Sequence, residues 1–304
     1  MLLGAMASTP QEVRLLDGAT GTELDRRGVD IGLPLWSARA IIEAPEILQD
    51  VHRSYLDAGA RGITTNTFRT HQRSLAKGGI GHRAAELTHR AVSIARAACE
   101  EVGADALVLG SVAPLEDCYR PALAPNAATC RREHEQTISH LVDGGVDVVL
   151  IETMCSSHEA LAAADAARAV APEAWAISFC LRATGPRGVL LDGTPLADLV
   201  PHLADARFVG INCVPAPEIA GHITSLRAIL PEHIPIAAYG NVGYADKEGG
   251  WISTDAIEPE RYAQYAVDWV DAGAALVGGC CGTSPDTILA IADRLAACER
   301  EQPQ

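Results

Sequence analysis

Three cysteines of this 304-residue chain stand where short apolar runs end. Cys213 closes Ile211-Asn212-Cys213, and the adjacent pair lies in Gly278-Gly279-Cys280-Cys281-Gly282-Thr283. Zinc favours thiolate, and a catalytic zinc keeps three protein ligands and one exchangeable position. Three thiolates delivered from the ends of two buried strands make such a set, suited to a soft substrate atom such as sulfur. Adjacent residues can ligate one ion only where the backbone bends tightly, and Gly278, Gly279 and Gly282 permit that bend. The spacing is not the Cys-x-x-Cys of a zinc ribbon, and the residues alone also fit a redox dithiol or a simple nucleophile. Free cysteines are otherwise small core residues, the reading given to Cys99, Cys180 and Cys298. Cys118, Cys130 and Cys155 fall between the two readings, with Cys155 just after a strand end.

A ligand set of this kind has a definite chemistry. The fourth position of the ion binds a substrate thiol and favours its deprotonation. The thiolate is then a nucleophile held in place, able to attack a methyl group on a sulfonium or quaternary ammonium donor. A zinc-assisted lyase or hydrolase with Glu152 as acid–base group, and a metal-binding protein without turnover, are the competing readings.

The elements that must position these residues are eight apolar runs alternating with helical patterns. The runs are Val13–Leu16, Gly62–Thr67, Ala106–Ser111, Val148–Glu152, Trp175–Phe179, Phe208–Asn212, Ile234–Tyr239 and Ala275–Gly279. Several are apolar almost throughout, as parallel strands covered on both faces are. Helices are expected over Pro45–Ala58, His82–Glu101, Cys130–Asp143, Ser156–Val170, Pro195–Leu203, Pro217–Leu230, Pro259–Asp271 and Ser284–Ala297. Eight β-α units in about 290 residues predict an α/β fold, a (β/α)8 TIM barrel in one domain with its core over 12–298. Asp17, Asn66, Thr67, Ser111, Glu152, Thr153, Cys213, Asn241 and Cys280-Cys281 then fall at strand exits. In a barrel those positions gather at one mouth.

Composition narrows the partners. With 24 basic and 39 acidic residues the net charge is −15, which argues against nucleic acid or an anionic membrane as partner. No run of 18 apolar residues predicts a membrane span. The start, MLLGAMASTPQEV, is a poor secretion signal. Nine cysteines, an odd number, fit reduced thiols in the cytoplasm better than a disulfide scaffold.

Motifs along nearly the whole chain resemble the homocysteine S-methyltransferase family, which includes the S-methylmethionine– and betaine–homocysteine methyltransferases. They are Leu15-Leu16-Asp17-Gly18-Ala19-Thr20-Gly21-Thr22-Glu23-Leu24, Leu35-Trp36-Ser37, His52 through Ala60, Thr64-Thr65-Asn66-Thr67-Phe68, Gly110-Ser111-Val112, Glu152-Thr153, Gly210-Ile211-Asn212-Cys213 and Gly279-Cys280-Cys281-Gly282-Thr283. The resemblance implies a barrel that moves a methyl group to the sulfur of homocysteine, giving methionine, with Zn2+ on Cys213, Cys280 and Cys281. It implies that Asp17 and Glu152 hold the ammonium of homocysteine and that Thr20 and Gly21 meet its carboxylate end. Asn66 would orient part of the site, and Asn212 would fix the loop presenting Cys213.

On the donor side, aromatic faces suit a methyl-bearing cation. Trp36 leads the candidates Phe68, Tyr119, Tyr239, Tyr244 and Trp251. Segments 113–121 and 239–251 depart from the family's usual glycine-proline-tyrosine and proline-asparagine-serine-glycine-glutamate patterns, where substrate tails would be read. The barrel-sized chain has no modules for folate and cobalamin and no long C-terminal extension of the betaine-using animal enzymes. A small onium donor, S-methylmethionine or S-adenosylmethionine, is therefore expected, with betaine or a dimethylsulfonium compound as the alternative. A different thiol or a selenol acceptor is the alternative on the other side.

Overall fold

Successive side chains of a strand point to opposite faces, and the fourth strand shows what the apolar runs do with that. Val148 and Leu150 join one buried cluster with Leu16, Leu109, Ala176, Phe208, Ala237 and Leu276. Val149 and Ile151 join another that includes Leu48, Leu87 and Ile138 of the surrounding helices. Both faces are therefore covered, one by the inside of a barrel and one by a ring of helices. Burying each such side chain stabilises by about 1.5–3 kcal/mol.

The computed structural model describes residues 13–245 and 251–301. Residues 1–12, 246–250 and 302–304 lie outside it, and with them nearly all of the opening stretch MLLGAMASTPQEV, read as a poor secretion signal, part of segment 239–251 and the end of the chain after Glu301. The strands are β1 Arg14–Leu15, β2 Gly62–Thr64, β3 Leu107–Val112, β4 Val148–Met154, β5 Trp175–Phe179, β6 Val209–Pro215, β7 Ile236–Asn241, β8 Gly243–Ala245, β9 Trp251–Ser253 and β10 Leu276–Gly279. Eight form a parallel sheet in the order β1-β10-β7-β6-β5-β4-β3-β2, while β8 and β9 pair as an antiparallel hairpin. A parallel bridge from Leu16 to Gly62 joins the two ends of the sheet. Asp17 N donates to the Gly62 carbonyl (2.9 Å) and Arg61 N to the Leu15 carbonyl (2.8 Å) at that seam. The barrel is filled below its mouth, leaving a void of only about 20 Å³ among Arg14, Leu16, Leu109, Phe208 and neighbours.

The helices are α1 Thr20–Arg26, α2 Arg39–Glu43, α3 Pro45–Asp57, α4 Gln72–Lys77, α5 Ala84–Val102, α6 Ala127–Asp143, α7 Ser157–Val170, α8 Ala216–Arg227, α9 Pro259–Asp271 and α10 Pro285–Glu301. In α3 the buried Leu48, Val51, His52, Tyr55 and Leu56 follow the helical period, the stripe that docks a helix on a sheet. Helix α6 starts three residues before the expected Cys130 because Asn126 accepts from Thr129 N at 3.0 Å and caps it there. The short α1, α2 and α4 were not expected. The helix expected over Pro195–Leu203 is absent; two 3-10 turns, Leu196–Asp198 and Val200–His202, replace it. Pro201 is the cause, since an interior proline lacks the N–H and its ring clashes with the preceding turn. No helix among the described residues is long and apolar enough to cross a membrane.

One side chain ties the strands below the mouth. The buried Tyr262 hydroxyl accepts from Gly240 N (3.0 Å) and offers its proton to the carbonyls of Gly240 (2.7 Å) and Gly278 (3.0 Å). Tyr262→Phe is expected to destabilise the protein by about 1–3 kcal/mol, the cost of stranding buried polar groups. Tyr265→Phe, whose hydroxyl is exposed on Asp255, should cost much less. Paired urea melts check the difference.

Candidate active site at the mouth of the barrel

Strands β4 and β6 both lose register near their C-terminal ends, β4 between Ile151 and Met154 and β6 between Asn212 and Pro215. Thr153 (φ 60°) and Cys213 (φ 58°) are left-handed there, a conformation that costs a non-glycine residue roughly 1–2 kcal/mol. The buried Asn212 amide stitches the two irregular ends together. Its Oδ1 accepts from Thr153 N (3.0 Å) and Ser178 Oγ (2.8 Å), and its Nδ2 donates to Thr153 Oγ1 (2.7 Å). Such bulges re-aim side chains at strand ends; here those side chains are Glu152 and Cys213.

The three expected sulfurs converge. Cys213 Sγ lies 3.3 Å from Cys280 Sγ and 3.9 Å from Cys281 Sγ, and the latter two are 4.0 Å apart. A tetrahedral ion with bonds of about 2.3 Å to sulfur needs sulfurs separated by about 3.8 Å, so the set fits. The hairpin of thiols is fixed by its backbone: Cys280 N donates to the Gly240 carbonyl (2.8 Å) and Cys281 N to Asn241 Oδ1 (3.0 Å). Arg26 of α1 donates to the carbonyl of Gly282 at 2.6 Å. Gly282 is left-handed (φ 86°) and packs so tightly on Val242 that a side chain would collide with it. Cys213 gives up its proton most readily of the three, because Cys280, Cys281, Tyr119 and Thr153 all hydrogen-bond to its sulfur.

Two buried carboxyl groups line the same chamber. Asp17 accepts from Thr64 N (2.7 Å) and Thr64 Oγ1 (2.9 Å); Glu152 accepts from Ser111 Oγ at 2.5 Å. Burial raises Asp17 to about 7 against the opposing bonds from Thr64. Burial also raises Glu152 to about 8, helped by the nearby Cys213 and Asp17 and opposed by Ser111. No basic side chain acts on either. Tyr239 adds a buried hydroxyl that makes no hydrogen bond of good geometry, with Ser178 beside it and Glu152, Cys280 and Cys213 among its electrostatic neighbours. Acids and thiols gathered without a cation make a chamber for cationic ligands.

Comparison with known proteins agrees with this chemistry. A sequence profile described as homocysteine S-methyltransferase matches residues 14–295. The chain belongs to the homocysteine S-methyltransferase family. It is 32% identical to the homocysteine S-methyltransferase of Escherichia coli strain K12, over 93% of this chain and 96% of that one. It is 29% identical to a selenocysteine Se-methyltransferase of Brassica oleracea, over 93% and 89%. Among solved structures, the homocysteine methyltransferase MmuM of Escherichia coli in its metallated form superposes with a TM-score of 0.80 at 30% identity, covering 93% of this chain and 96% of that one.

The other residues expected from the family motifs fall as follows. Thr20 opens α1, half-buried. Gly21 leaves room for the Trp36 indole, which a side chain there would strike. Trp36 meets Phe68 edge to face with centroids 5.5 Å apart. Asn66 donates to the Ser37 carbonyl at 2.8 Å, holding the segment that carries Trp36. Tyr244 and Trp251 stand half-exposed on the β8–β9 hairpin.

Cys180, expected in the core, is buried there and packs with Cys155 and Cys213, with its Sγ 3.6 Å from the Cys213 carbonyl. Tyr119 was expected only as an aromatic face. Its hydroxyl donates to Cys213 Sγ at 3.3 Å and accepts from Asn241 Nδ2 at 3.4 Å. Sequence reasoning missed these contacts, and Thr64 as the partner of Asp17, because the only available signal was their position at strand exits.

The raised Asp17 has a stability consequence. Its folded value lies above the unfolded one, so its contribution is fully present below about pH 4 and is lost as pH rises through about 7. The full swing is on the order of 4 kcal/mol. In the ligand-free protein this carboxyl lowers the melting temperature between about pH 4 and 7, against the buried His52, His71 and His222, whose lowered values make their own contributions grow as pH rises toward about 6.5. Asp17→Asn should flatten that slope, and at pH 8 should melt higher than the parent while losing affinity for ammonium-bearing ligands. Melting curves across pH check both.

Proposed function

We propose that the protein transfers a methyl group from a small onium donor, S-methylmethionine or S-adenosylmethionine, to the thiolate of homocysteine, giving methionine, with zinc on Cys213, Cys280 and Cys281. The observation that carries this reading is three sulfurs 3.3–4.0 Å apart beside two buried carboxyl groups with no basic partner. Zinc, when bound, supplies a Lewis acid that lowers the thiol pKa and one exchangeable position for its sulfur.

The chain's own residues supply the rest. Asp17 and Glu152 bind the ammonium of homocysteine and give up their protons as it arrives, since an adjacent cation favours the carboxylate. The buried Tyr239 hydroxyl, which makes no hydrogen bond of good geometry, offers one to the bound acceptor. Ser111 and Thr64 hold the two carboxyl groups in place. Trp36 and Phe68 offer ring faces and edges near the entrance to the methyl-bearing cation. Holding donor and acceptor in line removes the entropy of a bimolecular encounter, which accounts for much of the rate in such transfers. No separate general base is needed once the acceptor is a thiolate. The free cysteines, all nine of them, suit a reducing compartment such as the cytoplasm.

The similarity to a selenocysteine Se-methyltransferase supports a second acceptor class, because a soft site that receives sulfur also receives selenium. A zinc-loaded panel tests both acceptors against S-methylmethionine, S-adenosylmethionine, betaine and dimethylsulfoniopropionate. Loss of free thiol should match the demethylated donor mole for mole. Cys280→Ala should lose bound zinc and lower turnover by more than about 100-fold, since even outer partners of a zinc ligand are worth about 10- to 100-fold. Full turnover by zinc-free Cys280→Ala protein would overturn the mechanism.

A further inference from the structure

The chamber accounts for the sulfur and the ammonium of an amino-acid substrate but offers its carboxylate no cation. The loop between β2 and α4 holds one. Arg69 is half-buried, its Cζ 5.4 Å from the Phe68 ring centroid. Its Nε is buried and unpartnered. Nη1 makes only a 3.4 Å contact with the Glu116 carbonyl. Among the described residues, no carboxylate lies within ion-pair distance of it.

Its neighbours are treated differently. Arg73 is paired with Glu133 (2.7 Å) and Glu116 (3.3 Å), and Lys77 with Glu116 (2.5 Å). Glu116 thus gives its carboxylate to Arg73 and Lys77 and only its carbonyl to Arg69. In a chain with 39 acidic and 24 basic residues, partners are in excess, so a guanidinium kept without one is informative. Arg120 and Arg182 also lack a carboxylate partner, but both are exposed, where water satisfies them. Half-buried Arg227 shares the unpartnered Nε, but its terminal nitrogens donate to the carbonyls of Ile234 (3.0 Å), Leu230 (2.8 Å) and Pro231 (2.5 Å), whereas Arg69 has one long contact.

Arg69 also stands on the correct side of the molecule. Phe68 packs on Trp36, and Trp36 on Gly21, four residues after Asp17. The positive charge of Arg69 reaches the Cys118 thiol. The next residue, Tyr119, sends its hydroxyl to Cys213.

We propose that Arg69, held flat by Phe68, receives the carboxylate of an amino-acid substrate at the barrel mouth. The planar fork of arginine matches a carboxylate with two parallel hydrogen bonds. Among the described residues Nη2 has no hydrogen-bond partner and is the first atom to meet it; the buried Nε becomes the second donor once the ligand displaces what covers it. This inference rests on the methyl-transfer reading for the identity of the substrates, not for the existence of the site. The carboxylate belongs either to the acceptor or to a donor such as S-methylmethionine, and paired substrates separate the two.

Homocysteine is compared with 3-aminopropane-1-thiol, and S-methylmethionine with its decarboxylated analogue, using the zinc-loaded enzyme. Arg69→Gln should lower kcat/KM by about 10- to 100-fold for whichever substrate presents its carboxylate, the range expected for a charge-assisted hydrogen-bonded pair. It should leave the matching analogue without a carboxylate unchanged, and Arg69→Lys should recover part of the loss. An effect confined to the homocysteine pair assigns the carboxylate to the acceptor; one confined to the sulfonium pair assigns it to the donor. Equal losses with and without a carboxylate in both pairs would reduce Arg69 to a structural residue and overturn the inference.

Calorimetric titration of the same proteins with methionine and with 3-(methylthio)propylamine gives a readout independent of turnover. Wild-type protein that binds methionine more tightly than the amine, with the preference lost in Arg69→Gln, supports the site even if no thiol is methylated. Absence of that preference in the wild type overturns it. Should Arg69→Gln melt well below the parent, the comparison is made with Arg69→Lys.

Discussion

Everything at the mouth depends on one electrostatic condition: acids and thiols are crowded into a water-poor chamber with no basic side chain among them. The empty chamber meets it by keeping protons. Desolvation disfavours the charged form of any buried group, and Asp17 and Glu152 rise to about 7 and about 8 accordingly. The thiols behave as a set in which one sulfur, Cys213, collects the hydrogen bonds of the others and of Tyr119 and Thr153. On the proposed function, cationic ligands would exchange for those protons, a divalent ion on the sulfurs and an ammonium on the carboxyl groups, and binding would be strongest for ligands that bring positive charge to both places.

Holding that condition requires a rigid frame, and the barrel supplies it at some conformational cost. Of the four left-handed non-glycine residues among those described, Trp36, Thr153, Glu173 and Cys213, two stand at the irregular strand ends, Thr153 and Cys213. The strain is offset by a single buried amide, Asn212, which bonds both ends of β4 and β6 and the neighbouring Ser178. On the opposite wall, Tyr262 joins β7 to β10 just below the thiol hairpin. Beneath both, the packed interior leaves a void of only about 20 Å³, so the floor cannot give way. The sulfur separations are consequently set by backbone and packing rather than by loop flexibility, as a site with distances matched to an ion requires.

The barrel and the clustering of three thiols at its mouth were legible in the sequence because each is written locally. Apolar runs covered on both faces mark strands, and polar residues directly after them mark the mouth. What escaped was anything that depends on distance between remote residues. Tyr119 and Cys213 are 94 positions apart, and nothing in either segment announces their hydroxyl–sulfur contact. Cys180 looked like core filler because it follows an apolar strand; only the bend of β6 brings the Cys213 carbonyl to it. The 195–203 segment failed for the opposite reason, since Pro201 is a local signal that outweighed the helical pattern around it. Left-handed Thr153 and Cys213 ran against local preference, and such positions are found where a functional geometry overrides it.

The global charge of −15 and the local chemistry point the same way only at the floor of the chamber. At the rim the arrangement reverses. Lys77 and Arg73 are neutralised by Glu116 and Glu133, while Arg69 is stacked and unneutralised. A zwitterion entering such a field meets acidic groups at depth and a guanidinium near the entrance. On the proposed reading its ammonium is drawn inward and a carboxylate, of acceptor or donor, is held outward, so that the ordering of charge along the depth of the barrel orients the substrate. The loop 113–121, which differs from the family pattern, spans both ends of that order: Glu116 pairs with Arg73 and Lys77, while Tyr119 reaches in to the Cys213 sulfur, so a change there acts on the sulfur chemistry as well as on the rim.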